Sequence, residues 1–138
     1  IILTTNMDYR GCKGFNESVL SRMRMILYSE PLTPEEMVAR VQKRVGNANQ
    51  ALLEKMAKTV CEIQKYCHNE MIAGGVCGYR EYEDWVWAYL IQKDVCKAAL
   101  HTVIAKASPN KEERDEIYKT QILTKFQEKN ETPIMQAA

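Results

Sequence analysis

From Thr33 to Phe126 apolar residues return every three or four positions, in five successive segments separated by glycine, proline or capping residues. That period is one face of an α-helix, so this stretch constrains the chain to a helical bundle. Thr33-Pro34-Glu35-Glu36 is a helix start: Thr33 caps, Pro34 fits the first turn, and Glu36 completes a capping box. Met37, Val41 and Val45 follow at four-residue steps, and Gly46 ends the helix. A second helix is expected over 47–71, with Leu52, Met56, Val60, Cys67 and Met71 close to one face and Leu53, Ala57 and Ile63 widening it. Gly74, Gly75 and Gly78 mark a loop. A third helix over 79–92 has Trp85, Ala88, Tyr89 and Ile91 on its apolar side. Asp94 caps a fourth, carrying Val95, Ala99, Val103 and Ala107 until Ser108-Pro109-Asn110 breaks it. Asn110 and Glu113 form a second capping box for a fifth helix with Ile117, Tyr118, Ile122 and Phe126.

The first thirty residues follow another pattern. Residues 1–5 are β-branched and apolar, the signature of a buried strand, and Asn6 ends it. Residues 7–14, with Gly11 and Gly14, read as a loop, and Asn16 caps a short helix over 16–22. Residues 23–28 read as a second strand. The expected fold is therefore mainly α. A five-helix bundle over 32–127 is preceded by a strand–helix–strand piece of an α/β sheet over 1–31, and a polar tail over 128–138 is expected to fray. Pro31 and Pro34 mark the join.

Charge and cysteine content narrow the function classes. Lys and Arg number 19 against 18 Asp and Glu, a net charge of +1, so no broad field gathers nucleic acid or an anionic membrane. No run approaches the roughly 18 apolar residues of a membrane span. Five cysteines, an odd number without tight spacing, fit small core residues of a reduced, cytoplasmic protein better than a disulfide scaffold. A zinc or redox module through Cys61, Cys67, His68 and Cys77 is the sharper alternative, but these residues lack the paired-ligand spacing of zinc sites.

Three polar residues could carry chemistry. Asn6 follows the first expected strand, where ligands of open α/β sheets bind, although an Asn there also suits a turn. Arg22 closes the short helix, and an arginine at a domain edge can reach a phosphate on a neighbouring subunit; Arg24 is a second choice. Arg80 opens the third helix just after the glycines. A cation there runs against the helix dipole and points to a nearby negative group, which Glu81, Glu83 or Asp84 could equally supply.

Taken in order, Ile1-Ile2-Leu3-Thr4-Thr5-Asn6, Tyr9-Arg10-Gly11 and Asn16-Glu17-Ser18-Val19-Leu20-Ser21-Arg22 resemble the sensor-one strand and arginine-finger region of AAA+ ATPases of the MoxR-type and dynein-related group. Gly75-Val76-Cys77-Gly78-Tyr79-Arg80-Glu81, with Trp85 and Ala88, is similar to that group's sensor-two turn and lid helix. The resemblance covers about residues 1–127. It implies that Asn6 polarises the attacking water or contacts the γ-phosphate. It implies that Arg22 is a finger acting on ATP of the adjacent subunit, and that Arg80 reports nucleotide state to the lid. It also implies a homo-oligomeric, hexameric ring, ATP and magnesium as ligands of the full-length ATPase, and a protein client. Met7 and Met23 stand where the family usually has Pro and Phe.

The chain contains no GxxxxGK[ST] loop and no apolar run ending in Asp-Glu. Those parts are expected upstream of Ile1, so this chain alone is expected to be inactive and to hold no cofactor. A free-standing helical module that binds a partner helix in a surface groove is the principal alternative. A DNA-binding helix-turn-helix is disfavoured by the neutral charge.

Overall fold

The computed structural model describes residues 1–4, 15–46 and 48–126. They fall into two compact units, Ile1–Glu30 and Pro31–Ala138.

In the first unit, α1 spans Glu17–Arg22. The Asn16 side chain accepts from the Val19 N–H at 2.9 Å, satisfying one of the orphan donors that open every helix. The two expected strands are not formed. Described residues 1–4 and 25–28 carry no strand, and Ile1, Ile2, Leu3, Met25, Leu27 and Tyr28 are exposed. A strand needs a partner for its backbone groups, and these segments have no ladder with any described residue, so β-type composition alone does not make one here.

In the second unit, α2 spans Pro34–Val45, with Thr33 as cap and the expected capping box with Glu36. α3 spans Gln50–Asn69, α4 Tyr79–Gln92, α5 Val95–His101, α6 Val103–Ala107 and α7 Lys111–Ile117, and a π-helical segment follows over Tyr118–Leu123. α2 packs on α3 and α4, α4 packs on α5, and the π-helical segment packs on α3 and α5. The helical bundle is thus present, with two expected rods interrupted.

The two interruptions differ in kind. The rod over 94–107 breaks at Thr102, whose backbone leaves the helical region at φ −124° and ψ −86°. Its hydroxyl donates to the Ala98 carbonyl at 2.7 Å, a bond that Thr59 also makes inside the unbroken α3, so the hydroxyl alone does not account for the break. In the last rod, Ile117 and Ile122 are both fully buried although they are five residues apart. An α-helix turns such a pair to different faces, whereas the i→i+5 bonding of a π turn aligns them. The expected Asn110–Glu113 capping box is also replaced: Asn110 caps the Glu112 N–H at 2.9 Å, while the Glu113 carboxylate takes the Ser108 hydroxyl.

The core forms around Tyr82 and Trp85, both fully buried. Each carries a polar atom that burial would strand without a partner. The Tyr82 hydroxyl donates to Leu53 O at 3.1 Å, and the Trp85 indole N–H donates to Val95 O at 2.9 Å. The Trp85 and Phe126 rings meet edge to face, with centroids 5.5 Å apart. The core stripe of α4 is Tyr82, Trp85 and Val86, with Tyr89 half-buried. Ile91, expected on the apolar side, is instead 79% exposed. Met71, placed on the second helix's apolar face by the sequence, lies beyond the end of α3 and is exposed.

Candidate functional site

The loop from Glu70 to Gly78 holds the entrance of α4 against its neighbours. The Gln64 side-chain amide donates to Cys77 O at 2.7 Å, and the Val76 N–H donates to Lys106 O at 2.8 Å. A β-carbon on Gly75 would stand 1.9 Å from the Ala107 carbonyl oxygen, so that glycine serves close approach of two backbones rather than of a ligand.

α4 then starts on Gly78, whose N–H donates to the carboxylate of Glu81 at 2.9 Å. Glu81 is 7% exposed and also faces the Lys106 ammonium at 3.9 Å. The same ammonium reaches Asp84 at 3.0 Å. Glu83 is paired with Arg44 at 3.1 Å. Arg40 of α2 lies over the Tyr79 ring, 5.7 Å from its centroid. Burial raises the Tyr79 hydroxyl above its ordinary value, as do Glu83's charge and hydrogen bond, while Arg44 and Arg40 oppose the rise.

Each of the three acids that could have neutralised Arg80 is therefore committed elsewhere. Arg80 itself is exposed and makes no hydrogen bond or ion pair with a described residue. It is a permanently charged, planar donor presented from the first turn of a 14-residue helix anchored in the core.

Arg22 is the last residue of α1, where a cation complements the helix dipole, and it is exposed, as is Arg24. Asn6 lies outside the described residues. Arg22 belongs to the first unit and Arg80 to the second. The sequence had drawn attention to neither Lys106 nor Arg40. Their signal is tertiary: each sits two elements along the chain from its partners, Lys106 on α6 and Arg40 on α2 against the acids and the ring of α4.

Cys61, Cys67, Cys77 and Cys96 are free thiols. Burial pushes the Cys77 thiol well above its ordinary value, with smaller contributions from Cys67, Glu81 and Cys61. Cys61 and Cys67 are raised as well, chiefly by burial. Thiols held in the protonated form are poor nucleophiles. Among the described residues, Cys61, Cys67, His68 and Cys77 included, no group of three or more His, Cys, Asp or Glu is gathered as a metal site. A surface groove of about 340 Å³ runs between α2 and α3, with Val38 and Ala39 among its apolar lining and Glu35, Glu54 and Lys58 among its charged lining. No described helix is long and apolar enough to cross a membrane.

No protein-family model matches the chain, and searches of curated proteins and of solved structures find no match.

Proposed function

We propose that this chain is the end of the core and the helical lid of an ATP-driven AAA+ ATPase of the MoxR-like, dynein-related kind, working in a homo-oligomeric, hexameric ring that remodels a protein client. The observation that carries the reading is the uncommitted guanidinium of Arg80. It sits in the first turn of a core-anchored helix, while Glu81 is taken by Gly78 and Lys106, Glu83 by Arg44 and Asp84 by Lys106. A guanidinium fork matches phosphate oxygens in shape and charge.

In this reading Arg80 binds phosphate oxygens of ATP from the lid side. Arg22 reaches the γ-phosphate held by the neighbouring subunit and neutralises charge that develops as the terminal bond breaks. Asn6 orients the attacking water. The phosphate-cradling loop belongs to the rest of the ATPase, and no residue of this chain is assigned to magnesium.

The test uses the full-length ATPase. Arg22→Ala is expected to reduce turnover by about 10³-fold or more while sparing ATP binding, the signature of a group that acts only in the transition state. Arg80→Ala is expected to weaken nucleotide binding. Normal turnover in the Arg22 variant together with unchanged binding in the Arg80 variant sinks the reading. The groove between α2 and α3 favours a second reading, a module that seats a partner helix. Full nucleotide affinity after Arg80→Ala would shift the weight to it.

A further inference from the structure

Two of the free thiols stand at the two roots of the glycine loop. Cys67 lies in the last turn of α3, and its carbonyl oxygen accepts the Ile72 N–H at 2.9 Å, where the chain turns back. Cys77 directly precedes Gly78, the cap of α4. The loop returns onto the stripe of α3 that it left. Val60, Gln64 and Cys67 follow one another at four- and three-residue steps, so they share one helix face. Cys77 rests on that face at two points. Its thiol meets the Val60 carbonyl oxygen at 3.9 Å, and its own carbonyl accepts from the Gln64 side chain at 2.7 Å. Cys67 is the next side chain along the stripe, its β-carbon about 5–6 Å from that of Gln64. After burial, the largest influence holding Cys77 protonated is the charge of Cys67, ahead of Glu81 and Cys61. Cys61 is turned to another neighbour: its thiol faces the Leu32 carbonyl oxygen, just before α2, at 4.0 Å. Cys96 belongs to α5 and is buried there.

We infer that Cys67 and Cys77 are a reversible dithiol–disulfide pair, whose oxidised form ties the entrance of α4 covalently to α3. The oxidant is a low-molecular-weight disulfide of the glutathione class. The Cys67 thiolate attacks one sulfur of that disulfide, its S–S bond breaks, and one glutathione leaves and takes up the proton that Cys67 released. The Cys77 thiol then releases its proton and attacks the Cys67 sulfur, and the second glutathione leaves with that proton. Two protein thiols are oxidised and one external disulfide is reduced to two thiols. In the second step the Cys77 sulfur leaves the Val60 carbonyl, while the Gln64 side chain keeps hold of its backbone. Burial holds both thiols protonated, Cys77 the more strongly, so Cys67 attacks first and the exchange is slow. The pair does not depend on the nucleotide reading, since no residue assigned to phosphate takes part.

The experiment incubates the folded 138-residue chain with oxidised glutathione at about pH 8, where more of each thiol is ionised than at neutrality. Remaining thiols are then blocked with iodoacetamide in urea, and the peptides are mapped by mass spectrometry. The expected result is a peptide linking Cys67 to Cys77 in most of the chains, lost again on treatment with dithiothreitol. In Cys77→Ser, Cys67 is expected to stop at the mixed disulfide with glutathione. In Cys67→Ser, Cys77 is expected to remain a free thiol, and Cys61→Ser is expected to close as the parent does. Glutathione retained on Cys67 of the parent without closure overturns the pair. So does a bond from Cys77 to Cys61 or to a second copy, or a parent in which Cys67 and Cys77 both stay reduced. Mapping the parent needs no substitution, so a serine variant that fails to fold leaves the test standing. Nucleotide binding and turnover are not read, so failure here is separate from failure of the ATPase reading.

Discussion

Gly75 and Ala107 touch so closely that any side chain on the first would enter the carbonyl of the second, the β-carbon position being 1.9 Å from the oxygen and 2.3 Å from the carbon. The obstacle is backbone, which cannot step aside as a flexible side chain can.

Gly75→Ala is therefore expected to destabilise the helical unit by about 3 kcal/mol or more, beyond ordinary overpacking. Gly46 provides the contrast. It has φ +73° and ψ −147°, a backbone conformation essentially reserved for glycine, but open space around its β-position, so Gly46→Ala is expected to lose about 1–3 kcal/mol from backbone strain alone. Urea unfolding of the two variants measures the difference, and equal losses would contradict the packing argument.

Tyr82→Phe removes a buried hydroxyl and leaves the Leu53 carbonyl without it. A loss of about 1–2 kcal/mol is expected, with the fold retained. Thr33→Ala removes the α2 cap and is expected to cost about 1 kcal/mol. A thermal melt that leaves both variants at the parent midpoint would refute these assignments.

Burial raises Cys77 from its ordinary value of 9.0, and it raises Tyr82 from 10.0. The unfolded chain loses these protons first as pH climbs. The stabilising preference for the neutral forms is thus complete below about pH 9 and is lost progressively above it. Chemical unfolding at stepped pH should show stability falling from pH 9 upward, with a shallower fall in Cys77→Ala. In the native protein at neutral pH, iodoacetamide should label Cys77 slowly. Rapid native labelling would show that the thiol is neither buried nor held protonated.

Arg80→Ala is expected to change stability by no more than about 0.5 kcal/mol, because the side chain is exposed and engages no described residue. Glu81→Ala is expected to destabilise by about 1–2 kcal/mol, since it strips the Gly78 N–H of its acceptor and Lys106 of one partner. Finding the Arg80 variant strongly destabilised would assign that arginine a structural task instead.

Much of the bundle could be read directly from the chain, because caps and periodicity are local signals. The Thr33 box and the span Tyr79–Gln92 emerge as expected. The break at Thr102 and the π turn were hidden, since Thr102 sits in an unbroken helical period and a five-residue apolar step looks helical in one dimension. Strands at 1–5 and 23–28 were inferred from composition, but a strand exists only through its neighbour. At the candidate site Arg80 was visible as a cation at a helix start. That its three possible counter-ions are all engaged elsewhere depends on Lys106 and Arg44, which only the fold brings near.

The widened turn between Ile117 and Ile122 amounts to one surplus residue stored in the final rod. Were that residue deleted, Ile117, Ile122 and Phe126 would fall at even four-residue steps, and a plain α-helix could seat all three. The bundle thus tolerates a change of length at this point while the contacts on either side keep their places. A descendant sequence could shorten or restore the rod here without rebuilding the interior.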